Sequence, residues 1–128
     1  MQTLRTFGFL LKDVMRLYSR DFERHAAGLG LTIDQCRVLA HLARNEGTCQ
    51  ARLAELTDTD PMTLGRVLQK MEDAGLLERA ADPEDGRAHR LRLRKAATPL
   101  LEEIWHCADL AREDAFAGFS AEERRQML

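Results

Sequence analysis

The stretch from Asp60 to Lys95 constrains the fold of this 128-residue chain more than any other. Asp60 can cap the first free backbone N–H groups of a helix, and Pro61 suits a first helical position. Apolar residues then recur at helical spacing and predict one buried face: Leu64, Val67, Leu68 and Met71. Gly75 follows this pattern, as glycine often does at a helix C-terminus. The sequence therefore predicts a short helix with a buried side and a polar side.

A β-hairpin is predicted directly after this helix. Residues 76–80 and 90–94 have the character of strands, and the second alternates Leu inward with Arg outward. Between them, residues 82–87 (DPEDGR) are turn formers. A polar-faced helix followed by a basic hairpin is the layout of a winged helix-turn-helix that binds duplex DNA. The predicted fold class is mainly α with a small β-hairpin wing.

Helices are predicted on both sides of this motif. Residues 4–27 carry a wide apolar stripe, broader than a small domain needs for its own core, and glycines follow it. Thr32 and Gln35 form a capping box that opens the next helix, and residues 50–57 predict the short helix before the turn. Beyond the hairpin, Thr98 is expected to cap a long helix, and a last helix runs from Ala121 to Leu128.

The charge distribution answers the main compositional objection to DNA binding. The net charge is −2, which argues against indiscriminate nucleic-acid binding. However, residues 87–95 contain no acid and five basic residues: Arg87, Arg90, Arg92, Arg94 and Lys95. A local positive field can contact phosphates on a molecule that is acidic overall. Arg92 and Arg94 are explained equally well as the solvated face of an edge strand.

Three pieces of the chain resemble the MarR family of bacterial transcription regulators. They are LTIDQCRVLAHLAR, LAELTDTDPMTLGRVLQKMEDAGLLER and DPEDGRAHRLRL, in the family's order and spacing between Leu31 and Leu93. The resemblance implies one domain over residues 1–128, with a DNA-binding lobe at 32–95 and dimerisation helices at 4–27 and 98–128. It also implies a homodimer on a near-palindromic operator, a repressor that a small aromatic or amphipathic effector releases.

The predicted DNA contacts lie on the second motif helix and on the wing. Arg66 could bind guanine, Gln69 adenine and Lys70 a phosphate, while Gly65 would remove bulk where the helix meets the groove. A mid-helix glycine is hard to explain on a face that touches nothing. An acid bracing Arg87 in the minor groove resembles the family's wing. The full set is Met62, Thr63, Gly65, Arg66, Gln69, Lys70, Asp85, Arg87, His89 and Arg90.

Other functions have weaker support in the sequence. No nucleophile–base pattern and no phosphate-binding loop is visible, so an enzyme is not expected, and neither a cofactor nor a metal site is predicted. Alternatives are a protein–protein interaction module without DNA binding, or a redox- or metal-sensing regulator of the same fold. The thiols that bear on redox sensing are Cys36, Cys49 and Cys107. For the effector pocket, Arg16, Tyr18 and Trp105 are the plausible residues. No apolar run long enough for a signal peptide or a membrane span is present, so a cytoplasmic location is expected.

Overall fold

The computed structural model describes residues 2–85 and 89–128. Seven α-helices and two strands follow one another along this part of the chain. The helices are α1 (Gln2–Arg5), α2 (Phe7–Ala26), α3 (Ile33–Arg44), α4 (Gln50–Thr57), α5 (Pro61–Asp73), α6 (Thr98–Ala115) and α7 (Ala121–Met127). The strands β1 (Leu77–Ala81) and β2 (His89–Leu93) lie between α5 and α6. The predicted mainly helical fold with one hairpin is confirmed.

The chain divides into two compact units. One comprises Met1–Gly30 with Trp105–Leu128, and the other comprises Leu31–Ile104. In the second unit, α3, α4, α5 and the hairpin surround one apolar core. Its least exposed large side chains are Val38, Leu39, Leu42, Leu53, Leu64, Leu68, Met71, Leu77 and Leu91. This core holds the helix-turn-helix and the hairpin together as one lobe.

Local capping signals set the helix starts where the sequence predicts them. The Thr32 side chain accepts from the Gln35 backbone N–H, and the Gln35 side chain accepts from the Thr32 N–H, which is a complete capping box. Asp60 accepts from the Thr63 N–H at the start of α5. Gly75 has φ +77°, a left-handed conformation that suits glycine just after a helix.

Thr98 does not cap α6, contrary to the prediction. Its φ of −57° and ψ of −50° are helical, whereas an N-cap residue is extended. A 3₁₀ turn over Lys95–Ala97 leads directly into the helix, so Thr98 is the first residue of α6 rather than its cap.

The hairpin is antiparallel, with Arg79 opposite Leu91 and Ala81 opposite His89. Its strands are shifted by one residue from the predicted bounds. Leu91 is buried and Arg92 is exposed, so the predicted alternation is confirmed.

β2 is not an open edge strand. The Gly47 N–H donates to the Leu91 carbonyl at 2.9 Å, and the Leu91 N–H donates to the Thr48 carbonyl at 2.8 Å. The loop between α3 and α4 therefore covers the side of β2 that faces away from β1. This pairing joins segments that are distant in sequence and was not predicted, but Arg92 and Arg94 are both exposed, so the alternative that they form a solvated strand face stays open.

The other unit leaves much of its apolar surface uncovered. Along α2, several large apolar side chains are more than half exposed: Phe7, Phe9, Leu10, Leu11, Val14, Met15 and Leu17. α7 opens with a capping box in which the Ser120 and Glu123 side chains accept each other's backbone N–H groups. None of the helices in the described part of the chain combines the length and apolar character that crossing a bilayer requires.

Candidate nucleic-acid interface

Helix α5 presents a polar face because its apolar side is fixed in the core. Leu64, Leu68 and Met71 are at most 1% exposed, and Val67 is half-buried. At about 100° per residue, the remaining positions turn toward the opposite side. They include all six residues of α5 predicted to contact DNA: Met62, Thr63, Gly65, Arg66, Gln69 and Lys70. All except Gly65 are exposed.

Two cations on this face are free to bind a ligand. Among the described residues, neither Arg66 nor Lys70 is held by a hydrogen bond or an ion pair. In contrast, the Gln69 amide donates to the Asp73 carboxylate at 3.0 Å, and the Thr63 hydroxyl lies 3.4 Å from the Asp60 carboxylate. Arg66 and Lys70 can therefore reach an anion without breaking an existing contact, whereas one of the two N–H donors of Gln69 is already engaged by Asp73.

Gly65 lies where α5 approaches α4. A Cβ at this position would stand 3.3 Å from Nε2 of Gln50, the first residue of α4. The face of the helix at Gly65 therefore touches the neighbouring helix. This contact within the chain also explains a glycine at position 65, which the sequence argument for DNA contact did not consider, because it depends on how two helices cross. The predicted role of Gly65 in DNA contact stays a prediction.

The base of the wing is organised by Asp82. One of its carboxylate oxygens accepts the Glu84 backbone N–H at 2.9 Å, and the other accepts Nε of Arg90 at 3.3 Å. The Glu84 N–H, followed by the charge of Arg90, lowers the pKa of Asp82 below its usual value. The predicted contact residue Arg90 is therefore partly held by the chain itself. This bond crosses the hairpin, and sequence reasoning did not anticipate it.

Of the three other residues predicted to contact DNA from the wing, the structure describes Asp85 and His89. Arg87, the predicted minor-groove residue, lies outside the described residues, so the brace predicted for it has no structural description. His89 and Asp85 are exposed. The guanidinium of exposed Arg92 lies over Gly47, 3.6 Å from where a Cβ would stand. Described cations therefore occur on the α5 face and along β2.

Comparison with known proteins decides the family. The model of the MarR family matches residues 29–88. A probable transcriptional regulator from Pseudomonas aeruginosa is 31% identical, with a TM-score of 0.79 over 94% of this chain and 90% of that one. The chain belongs to the MarR family of transcription regulators.

Two solved structures of lower identity share the fold of this MarR-family chain. A mutant of MarR from E. coli, complexed with operator DNA, has a TM-score of 0.84 at 19% identity, covering 98% of this chain and 90% of that one. BpsR from Bordetella bronchiseptica has a TM-score of 0.83 at 24% identity, covering 95% and 92%. Its structure concerns regulation of DNA binding by 6-hydroxynicotinic acid.

The three residues suggested for the effector pocket do not come together. Tyr18 lines a cleft of 260 Å³ between α2 and α6 within one unit of this MarR-family chain. Arg16 instead pairs with Asp13 at 3.1 Å on the exposed side of α2. Trp105 is 43% exposed on α6. Neither belongs to the described lining of that cleft, and the assignment of an effector pocket to these residues stays a prediction.

An ion-pair cluster joins α2 to α6 beside that cleft. The side-chain atoms of Asp21, His25 and Asp114 that could bind a metal lie within 4.8 Å of one another. His25 Nε2 is 2.7 Å from Asp114, and Arg24 is 2.5 Å from Asp21. The Arg24 hydrogen bond is the main cause that lowers the pKa of Asp21. Asp21 and His25 are four residues apart on one helix, so the sequence could have indicated that these two side chains lie close together. It could not have indicated Asp114, which is distant in sequence.

The cysteines differ in accessibility. Cys36 and Cys107 are buried, whereas Cys49 is exposed at the N-cap of α4. Cys49 makes no side-chain capping hydrogen bond.

Proposed function

We propose that this MarR-family chain acts in the cytoplasm as a homodimeric repressor that binds a near-palindromic DNA site. In this proposal, α5 enters the major groove, and Arg66 and Gln69 contact base edges while Lys70 contacts a phosphate. The wing, including Arg87, contacts the adjacent minor groove. A small amphipathic effector would bind the DNA-free form more tightly and so release the operator.

The observation that carries the proposal is the free pair of cations on a rigid helix. Arg66 and Lys70 are exposed on α5, and within the described residues no acidic group neutralises them. Since Leu64, Leu68 and Met71 anchor the helix in the core, both cations are presented without a large loss of backbone freedom. A stiff helix with unpaired cations suits the phosphate-lined groove of duplex DNA.

The apolar surface of α2 supports a homodimer. Phe7 is 60% exposed, Leu11 is 52% exposed and Met15 is 60% exposed, in a run of apolar residues on one helix. Contiguous apolar surface of this kind marks an interaction site in a soluble protein. A twofold dimer would bury α2 and place two copies of α5 at two half-sites of one palindrome.

A cleft beside Tyr18 supports the proposed effector site. BpsR, a fold relative, has its DNA binding regulated by 6-hydroxynicotinic acid. In this chain the cleft beside Tyr18 is a place where a small amphipathic molecule could bind against apolar side chains. Binding there would change the packing of α2 and α6, the helices expected to form the dimer.

The proposal can be tested by selecting bound duplexes from a random pool. We expect a palindromic consensus whose half-sites are separated by about one helical turn. Binding to the selected duplex should weaken steeply as salt rises, since each neutralised phosphate contributes about −0.9 to the slope of log K against log salt.

Two outcomes would contradict the proposal. Enrichment of no sequence, together with salt-independent retention, would favour the protein–protein module instead. A consensus with a single, asymmetric site and a monomeric protein in sedimentation would retain DNA binding but overturn the homodimer.

A further inference from the structure

The contact between α4 and α5 places one side chain of α4 beside the proposed DNA-binding face. The Gln50 side-chain amide lies where a larger residue at position 65 would stand, because a Cβ there would be 3.3 Å from Nε2. That distance is shorter than an ordinary van der Waals contact, so a side chain at position 65 would have to displace the amide. Glycine at position 65 therefore leaves a seat on α5 that the Gln50 side chain occupies.

This seat adjoins the face of α5 that is proposed to meet DNA. On a helix, Gly65 is flanked by Met62 three residues before it and by Gln69 four residues after it. Met62 is 71% exposed, and Gln69 is also exposed. Gln50 is half-buried, and its amide makes no hydrogen bond to another described residue. Two N–H donors of this amide thus remain available beside the groove-facing residues.

We propose that Gln50 is a further DNA-contacting residue, seated by Gly65, that donates a hydrogen bond to a backbone phosphate at the edge of the major groove. This inference rests on the proposed function of the chain. In a helix-turn-helix, the first helix crosses the DNA backbone while the second lies in the groove. Gln50 begins the first of these helices, so its amide fixes the depth and register of α5 rather than reading bases.

Replacing Gln50 tests the proposed phosphate contact without removing a charge, because the Gln50 amide is neutral. Gln50→Ala is expected to weaken binding roughly tenfold per half-site, equally for operator and non-operator duplexes, as expected for a hydrogen bond to a charged group. The slope of log K against log salt should stay unchanged, since no cation is removed. Lys70→Ala, in contrast, is expected to reduce the magnitude of that slope by about one unit per chain.

A second variant separates DNA contact from folding. Gln50→Glu keeps the shape of the side chain and places an acid in the first turn of α4, which helices favour. The melting temperature should therefore hold or rise, while DNA affinity falls further than in Gln50→Ala because the carboxylate repels the phosphate. Gln126→Ala, which changes an exposed glutamine in α7, is the matched control: once sedimentation shows that its dimer is intact, it should leave affinity unchanged.

Gly65→Ala tests whether the glycine is needed to leave room for the Gln50 side chain. Alanine favours a helix interior over glycine, so the melting temperature should not fall if the flexible Gln50 side chain moves aside. Affinity should nevertheless drop by about as much as in Gln50→Ala, and the double variant should be no weaker than either single one. This non-additivity is expected because both changes remove the same phosphate contact.

The results distinguish this inference from the proposed function. If the wild-type chain enriches no duplex, the proposed function itself fails. If the wild-type chain binds its selected operator but Gln50→Ala and Gln50→Glu bind equally well, only the role of Gln50 is overturned. If Gly65→Ala weakens binding as much in the Gln50→Ala background as in the wild type, Gly65 acts on DNA independently of Gln50. The claim that Gly65 positions the Gln50 side chain is then refuted.

Discussion

Replacing Arg66 with alanine tests the central contact of the proposed DNA interface. The guanidinium is exposed on α5, and within the described residues it has no hydrogen-bond or ion-pair partner. Its removal therefore breaks no interaction seen within the described lobe. The nearby core residues Leu64 and Leu68 are fully buried and do not depend on the Arg66 side chain for their burial.

The expected magnitudes follow from this geometry. An exposed side chain without partners contributes within about 0.5 kcal/mol to the free energy of unfolding, so stability should hardly change. A bidentate contact from arginine to guanine, however, contributes about 1–3 kcal/mol of discrimination against other bases. Since about 1.4 kcal/mol corresponds to tenfold in affinity, the preference at one position of each half-site should relax roughly 5- to 150-fold.

The assay is fluorescence anisotropy on the selected operator and on duplexes that carry each single-base change. Arg112→Ala is a matched control, because Arg112 lies on α6 and is paired with Asp109 at 3.0 Å. That variant removes the same charge from the chain but should leave every base preference intact. Melting temperatures of both variants confirm that any change in affinity is not a change in folding.

One result would refute the reasoning about Arg66. If Arg66→Ala lost affinity equally for every duplex and kept all base preferences, Arg66 would act on phosphates alone. Its assignment as a base-reading residue would then be wrong, although DNA binding by α5 would stand.

Three further predictions concern the wing, the core and the dimer. The folded-state pKa of Asp82 is lowered, so its contribution to wing stability is present above the unfolded pKa of about 3.9 and is lost as pH falls through the folded value. The NMR chemical shift of the Glu84 amide should report that loss. Asp82→Asn should abolish this titration. Leu68→Ala should lower the free energy of unfolding by about 2–5 kcal/mol, measured by urea denaturation, because Leu68 is fully buried; a cost below 1 kcal/mol would contradict the core assignment. Leu11→Glu should give monomers in sedimentation and weaken operator binding, whereas unchanged dimers would exclude this part of α2 from the interface.

The sequence predicted those parts of the fold that depend on neighbouring residues. Thr32 with Gln35, Asp60 with Thr63, and Ser120 with Glu123 are contacts three residues apart, so the sequence contains each complete signal. The alternation of Leu and Arg likewise fixed the inward face of β2. For these elements, spacing alone determines the local geometry.

The parts that were missed depend on contacts between distant segments. The Gln50 amide against Gly65, the Asp82 carboxylate against Arg90, and the Gly47–Thr48 loop against Leu91 all require the packed lobe. Thr98 was misassigned because a 3₁₀ turn can lead into a helix without a side-chain cap. The sequence therefore identified the face of α5 but not the groups that adjoin it.

The double pairing of Leu91 has a consequence for changing DNA specificity in this chain. Swinging the hairpin away from α4 would break both backbone hydrogen bonds to Gly47 and Thr48 and would expose a leucine that is 1% accessible. The wing therefore cannot be re-aimed as an independent arm. Lengthening the loop before α4 by even one residue would shift the hairpin as well, so a redesigned operator preference has to alter both segments together.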